Sequence, residues 1–387
     1  MDYIIGEVKI WLSGAISDKD TCFDAFAKTN GESKEKVREM LKTSGRMLSK
    51  CLAMAPRQLL GGENIPDYVK GHARKLIENP KIALKPNVVV AQDGSGNFET
   101  ITEAVQSVPL QSKVPFVILV KRGIYKEYVM IPKMIDNVVL IREGPLITRI
   151  SGNKGFEDGI QTAFTATLTV EGRLFTAKDI GVENTRRPEG HQALAVRATG
   201  DLGIYYNVHM DGYQDTLCPD KNRQFFRECR ISGTVDFIFG NAVTAFQKCV
   251  MVVRKPMPSQ TCEVTAQGRD ETNVTGITMI QGYNITAEND FLDAKPPIQA
   301  YLGRPWKTMS RTIIMHSTID GFISPDGWYP WDGNIGLDTL FYAEYKNYGP
   351  GADTSKRVDW GVYNTLRMMR QPSHGLPSYI LLLIIGS

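Results

Sequence analysis

The strongest constraint on this chain is the way its apolar residues are parcelled out. From Asn87 onward they come in short β-rich runs, NVVVA, FVILVK, NVVLI, ATLTV, ALAV, TAFQ, CVMVVR, GITMI and RTIIMH, separated by Gly, Asn and Asp. Short runs of β-branched and aromatic residues bounded by turn formers read as strands. Between them only Thr100 to Val108 carries a helical pattern, so the helix-length crossovers of a doubly wound sheet are missing. Such strands suit the stacked coils of a right-handed parallel β-helix.

A second regularity falls on polar residues. Gln192, Gln214 and Asp236 stand 22 residues apart, Asp215 adjoins Gln214, and Arg304 follows Asp236 by 68, close to three times that interval. One coil of a solenoid takes about 20 to 25 residues, and equivalent positions of successive coils stack roughly 4.8 Å apart. On that geometry two amides, two carboxylates and one guanidinium line a single face. Two readings fit: polar ladders that cap coils, or a site. Asp215 and Asp236 lie within Asp211 to Asn241 beside aromatic and apolar neighbours that normally exclude a charge. A carboxylate so placed is paired, metal-bound or catalytic.

The residue strings favour a site. HQALAV at His191 to Val196, GYQDTL at Gly212 to Leu217, DFIFG at Asp236 to Gly240 and LGRPW at Leu302 to Trp306 together resemble the signature motifs of plant pectin methylesterases, and GIYKE at Gly123 to Glu127 adds a fifth in the right order. The resemblance covers about Pro86 to Asp359 and implies a right-handed parallel β-helix that hydrolyses the methyl esters of homogalacturonan (pectin) without cofactor or metal. It implies Asp236 as nucleophile toward the C6 methyl ester, and Asp215 as the acid that protonates methanol and then, as base, activates water. Gln192 and Gln214 become oxyanion donors, and Arg304 the bidentate partner that keeps Asp236 ionised. Phe239, Trp306 and Trp328 become sugar-stacking walls, with Trp331 close to the last in sequence. Two carboxylates that close cannot easily ionise together, so one is expected to hold its proton. Each residue also has an ordinary reading: a stacked glutamine, a structural Arg–Asp pair, a core tryptophan.

Some residues depart from the family's pattern. Cys218-Pro219-Asp220 stands where the family carries tyrosine, valine and histidine, so an aromatic cleft wall is lost beside the acid and Cys218 is expected as a free thiol. A catalytically weak or inactive pectin-binding β-helix is therefore the alternative reading. A lyase, which would want a calcium-binding carboxylate cluster, is opposed by DFIFG and LGRPW; a glycosidase also uses paired carboxylates.

Outside the β-rich region the character changes. Residues up to Leu60 read helical, with Val37, Met40, Leu41, Met47, Leu48 and Leu52 at three- and four-residue steps. Trp11 to Phe26 resembles the later part of the family's inhibitor-like pro-region. The expected division is 1–60 as partial pro-region, 61–86 as linker, 87–362 as catalytic β-helix and 363–387 as a divergent tail. In the linker, His72-Ala73-Arg74-Lys75-Leu76 resembles the basic site at which the family's pro-region is cut off.

Charge and cysteine content narrow the setting. The net charge of +3 favours a polyanion only weakly, and no Lys/Arg block interleaved with aromatics suggests nucleic acid. The six cysteines form no CxxC pair. Tyr379 to Ile385 is too short to span a bilayer, and no membrane partner is expected. The sequons at Asn273 and Asn284 matter only for a secreted glycoprotein, yet Met1 to Asp20 lacks the pattern of a signal peptide. The resemblance implies a secreted cell-wall monomer whose partners are pectin and a proteinaceous pectin methylesterase inhibitor.

Overall fold

The computed structural model describes residues 65–360, apart from 67, 83, 143 and 272–274, and the backbone of 363–365. The expected N-terminal helices, Cys22, Cys51, Asn273 and the chain beyond 365 lie outside the described residues. The strands sort into three sheets of 11, 7 and 8 strands, and neighbours within each sheet are three strands apart in the chain where the coils are regular. Pairing is parallel, as where Val196 faces Leu217 and Tyr205 faces Phe226. Each such coil thus lays one strand in every sheet before the chain returns: a right-handed parallel β-helix.

The coil interior explains why short runs suffice. Because strand side chains alternate in direction, each run sends one or two apolar residues inward, where they meet equivalents above and below. Phe175, Tyr205, Phe226, Phe246 and Tyr283 form an aromatic ladder with ring centroids 5.8, 4.6, 4.7 and 6.2 Å apart. Burying one such side chain is worth about 1.5–3 kcal/mol, and a well-placed ring pair about 0.5–1.5 kcal/mol more. No single coil could retain that contribution alone, so stability comes from stacking.

The corners explain the polar punctuation. Asn137, Asp179, Asn207 and Asn222 adopt φ of 60, 58, 50 and 64°, and Asp215 and Asp236 adopt 64 and 50°. Asn and Asp tolerate this left-handed conformation better than other side-chain-bearing residues do. The two candidate acids therefore occupy positions that the coil already reserves for such residues.

The N-terminal end of the described region carries two helices. Ile101–Gln106 has a capping box between Thr100 and Glu103 and buries Ile101, Ala104 and Val105, in the main core cluster. The segment expected as an open linker is partly helical: Gly71–Glu78 buries Ala73, Leu76 and Ile77. Ala73 and Ile77 pack with Ile204, Phe225 and Ala245, and Leu76 with Val117 and Val139, on the outer face of the 11-stranded sheet. The Arg74-Lys75 pair expected as a processing site is thus held in a packed helix, whose apolar stripe at three- and four-residue spacing outweighs the Gly- and Pro-rich flanks.

Candidate active site

The site lies on the seven-stranded sheet, with the two acids at the N-terminal ends of interior strands. Asp215 precedes the strand Leu217–Pro219, and Asp236 precedes Ile238–Gly240. Leu217 faces Ile238, the Asp215 N–H donates to the Val235 carbonyl at 3.0 Å and the Leu217 N–H to the Phe237 carbonyl at 2.9 Å. Carried back two residues, this register sets Asp215 opposite Asp236 on adjacent coils.

The stacking step differs from the interval expected from sequence. Val196 faces Leu217 and Leu217 faces Ile238, steps of 21 residues. Gln214 therefore sits one residue behind the acid ladder and Gln192 two, which staggers the amides against the carboxylates and against each other. Two coils, rather than three, separate Asp236 from Arg304: Ile238 faces Thr265 and Thr265 faces Gly303, steps of 27 and 38 residues. Inserted loop residues lengthen both.

Arg304 closes the site. Its N–H donates to the Thr265 carbonyl at 2.9 Å, and its guanidinium grips Asp236 in the bidentate form, Nε to Oδ1 at 2.8 Å and Nη2 to Oδ2 at 2.7 Å. Burial pushes the Asp236 carboxyl up, opposed by the hydrogen bond and charge of Arg304. Asp215 stands well above the usual carboxylate range, because burial and then the charge of Asp236 both favour its neutral form against a smaller pull from Arg304. The arrangement sets an acid whose neutral form is favoured beside an arginine-bound carboxylate, the kind of contrast by which one site can offer an acid and a nucleophile at one pH.

The half-buried Gln192 and Gln214 leave their side-chain amides unengaged by protein among the described residues, and Gln214 Oε1 is buried without a partner. Amide N–H groups held unspent beside two acids suit an oxyanion.

The aromatic residues expected as sugar-stacking walls divide. Phe239 and Trp306 meet edge to face at 5.8 Å; a Cβ at Gly268 would come within 2.5 Å of the Trp306 ring, so only glycine admits the indole there. Trp328 is not a cleft wall. It is 1% exposed in the core, donates from Nε1 to Glu344 at 3.3 Å and packs 4.3 Å from the Tyr342 ring. The tryptophan at the site is Trp331, 37% exposed, with the Arg304 guanidinium 4.5 Å from its ring centroid. Nothing in WYPW distinguishes the two; the choice follows from the bridge of Trp328 to Gly303, which turns its ring inward. Cys218 is free and buried, and packs with Ala166 and Leu194 against Phe239.

Sequence reasoning also missed Glu263. Its carboxylate is fully buried and its Oε2 lies 3.9 Å from Arg304 Nε. A glutamate inside the run CEVTAQ offers no local sign that it will stack beside Asp236.

Comparison with known proteins identifies the family. Residues 87–375 match the Pectinesterase family, and residues 2–54 match the family described as plant invertase/pectin methylesterase inhibitor. A probable pectinesterase/pectinesterase inhibitor of Arabidopsis thaliana is 45% identical over 381 residues, covering 92% of this chain and 66% of the relative. A pectinesterase of Petunia integrifolia is 49% identical over 322 residues, covering 83% of this chain and 84% of the relative. The chain spans only 51% to 68% of the length of four Arabidopsis relatives. The solved structure of pectin methylesterase from carrot superposes with a TM-score of 0.73 at 44% identity, covering 74% of this chain and 90% of the carrot chain. With the coils, the stacked acids and the arginine clamp in place, and with family motifs running from the first coil to the last, the chain belongs to the pectinesterase family.

Proposed function

We propose that this protein is a pectin methylesterase, which hydrolyses C6 methyl esters of homogalacturonan to methanol and acidic pectin. The observation that carries the reading is the stacking of buried Asp215, whose surroundings favour its neutral form, on an arginine-clamped Asp236 one coil away.

On this reading the Asp236 carboxylate attacks the ester carbonyl, and the negative charge that develops on its oxygen is met by the Gln192 and Gln214 amides. Collapse of the tetrahedral species breaks the bond to the methoxy oxygen, which takes the proton of Asp215 and leaves as methanol. Asp215, now ionised, draws a proton from water as it attacks the acyl–Asp236 anhydride. The water oxygen stays on the galacturonyl carbonyl, the bond to Asp236 breaks, Asp236 regains its charge and Asp215 its proton, and the carboxylic acid product gives its own proton to solvent. Arg304 keeps Asp236 ionised and in place, while Phe239, Trp306 and Trp331 supply apolar ring surface for the CH-rich faces of the sugars. No step needs a cofactor.

The setting is proposed with the activity: a secreted glycoprotein of the plant cell wall, acting as a monomer on pectin and bound by an inhibitor of the type matched at residues 2–54. The sequon asparagine Asn284 is exposed at the start of Asn284–Ala287, as glycosylation requires. Incubation with methylated pectin tests the reaction. Methanol with acid release is expected; unsaturated ends would mean a lyase, new reducing ends a glycosidase, and retention on a pectin column without product a binding protein.

A further inference from the structure

The reaction above leaves one buried acid without a task. Glu263 belongs to Cys262–Gln267, a strand buried at every residue. Ile238 faces Thr265 and the Phe237 N–H donates to the Glu263 carbonyl at 3.3 Å, so Glu263 stands opposite Asp236 and extends the column Asp215, Asp236 by one coil. Its Oε1 accepts from the Thr261 hydroxyl at 2.6 Å. Its Oε2 is buried without a hydrogen-bond partner and lies 3.9 Å from Arg304 Nε, the nitrogen that donates to Asp236 Oδ1. A structural role alone would be filled more cheaply by an apolar side chain of this size, since a buried carboxylate oxygen without a donor bears its full desolvation cost.

We propose that Glu263 is a positioning residue: it competes with Asp236 for the Arg304 guanidinium and so sets how tightly the nucleophile is held. The proposal rests on the esterase reading and deepens it. The groups facing Glu263 are Thr261 and Cys262 on its own segment, Asp236 from the coil before, and Tyr301 and Arg304 from the coil after. Arg304 is the one cation among them. Burial, with a contribution from the Asp236 charge, pushes the Glu263 carboxyl up to about 7 against the opposing pull of Arg304.

The consequence is a pH-dependent grip. Below neutrality Glu263 is protonated, and the guanidinium charge is spent on Asp236, which becomes a firmly held and weakly basic nucleophile. Above neutrality the ionised Glu263 takes a share of that charge. Asp236 becomes more basic and more nucleophilic.

The test compares wild type and Glu263→Gln in methanol release from a soluble methylated oligogalacturonide, with kcat and KM followed across neutral pH and carboxyl titration followed by infrared difference spectra. Wild-type kcat is expected to rise by roughly threefold to tenfold through about pH 7 with KM unchanged. In Glu263→Gln that rise and the carboxyl band titrating with it are both expected to vanish, and Glu263→Asp to restore part of the rise. Superimposable kcat profiles, or a neutral-pH rise that survives in Glu263→Gln, would overturn the role of Glu263 and leave the esterase reading standing. A folded wild type that releases no methanol at any pH would overturn the esterase reading itself, and the role of Glu263 with it. Should Glu263→Gln not fold by circular dichroism, Glu263→Met, apolar and similar in volume, makes the same comparison.

Discussion

Two buried arginine–aspartate pairs are built from the same parts and serve different ends. Arg223 and Asp201, 2% and 3% exposed, are joined through Arg223 Nε to Oδ1 at 2.9 Å, through Nη2, and through the Arg223 backbone N–H at 3.1 Å. Asp201 leads into Gly203–Tyr206 and Arg223 begins Arg223–Arg227, so the pair ties one coil to the next. Arg304 and Asp236 show the same bidentate geometry at 2.8 and 2.7 Å, but at 19% and 8% exposure and with the charges of Glu263 and Asp215 also acting on the guanidinium. A pair sealed in the wall between two coils is a staple. A single cation shared among three stacked acids cannot neutralise them all, so burial and mutual repulsion favour the neutral form of Asp215 and Glu263, which suits the cluster to proton transfer.

Swapping damage between the pairs breaks or sharpens this contrast. The largest effect is expected from Asp236→Asn, an amide of the same shape and a poor nucleophile: methanol release should fall by on the order of 10³-fold or more. Its melting temperature should change little, because Glu263 remains within reach of Arg304. A mutant keeping more than a few per cent of the wild-type rate would remove Asp236 from the nucleophile's role.

The mirror experiment is Asp201→Asn, which takes the Asp201 carboxylate away from the buried Arg223 guanidinium. Stability measured by urea denaturation should drop by roughly 3–5 kcal/mol, with kcat per folded molecule unchanged. Equal losses of rate and stability in both mutants would dissolve the distinction between staple and site.

Next come the amides, which the staple lacks. Gln192→Ala or Gln214→Ala should lower kcat by roughly 10²-fold with little change in KM. A rise in KM alone would reassign that glutamine to substrate binding.

The smallest effect is one of pH on stability. Native Glu263 holds its proton up to about 7, against 4.5 ordinarily. Between those values the folded state binds more protons than the unfolded one, so stability falls as pH rises through the window and stays lower above it. Glu263→Gln removes that loss and should stabilise the protein by roughly 1–3 kcal/mol at pH 8 and by little at pH 4. Urea midpoints at the two pH values check this, and a mutant equally destabilised at both would mean that Glu263 is ionised and satisfied throughout.

The helix Gly71–Glu78 shows where reading residues in order fails. Its flanks are rich in Gly, Pro and Asn, and local composition points to a linker; its burial depends on an apolar groove that the 11-stranded sheet presents only once folded. The capping box at Thr100 is the opposite case, because both partners lie within one turn and a local pattern suffices.

The same division runs through the whole molecule. The sequence by itself determined the solenoid, since short strands and left-handed Asn and Asp corners are local properties. It also picked out Gln192, Gln214, Asp215, Asp236 and Arg304, which lie in compact motifs and carry the proposed chemistry. Tertiary structure decided who stands beside whom. Coil steps of 21, 21, 27 and 38 residues defeat any fixed interval; they set the acids opposite each other, bring Glu263 onto the same guanidinium, turn Trp328 inward and leave Trp331 at the site. Register is a sum over every loop between two strands, and no single stretch of the chain contains it.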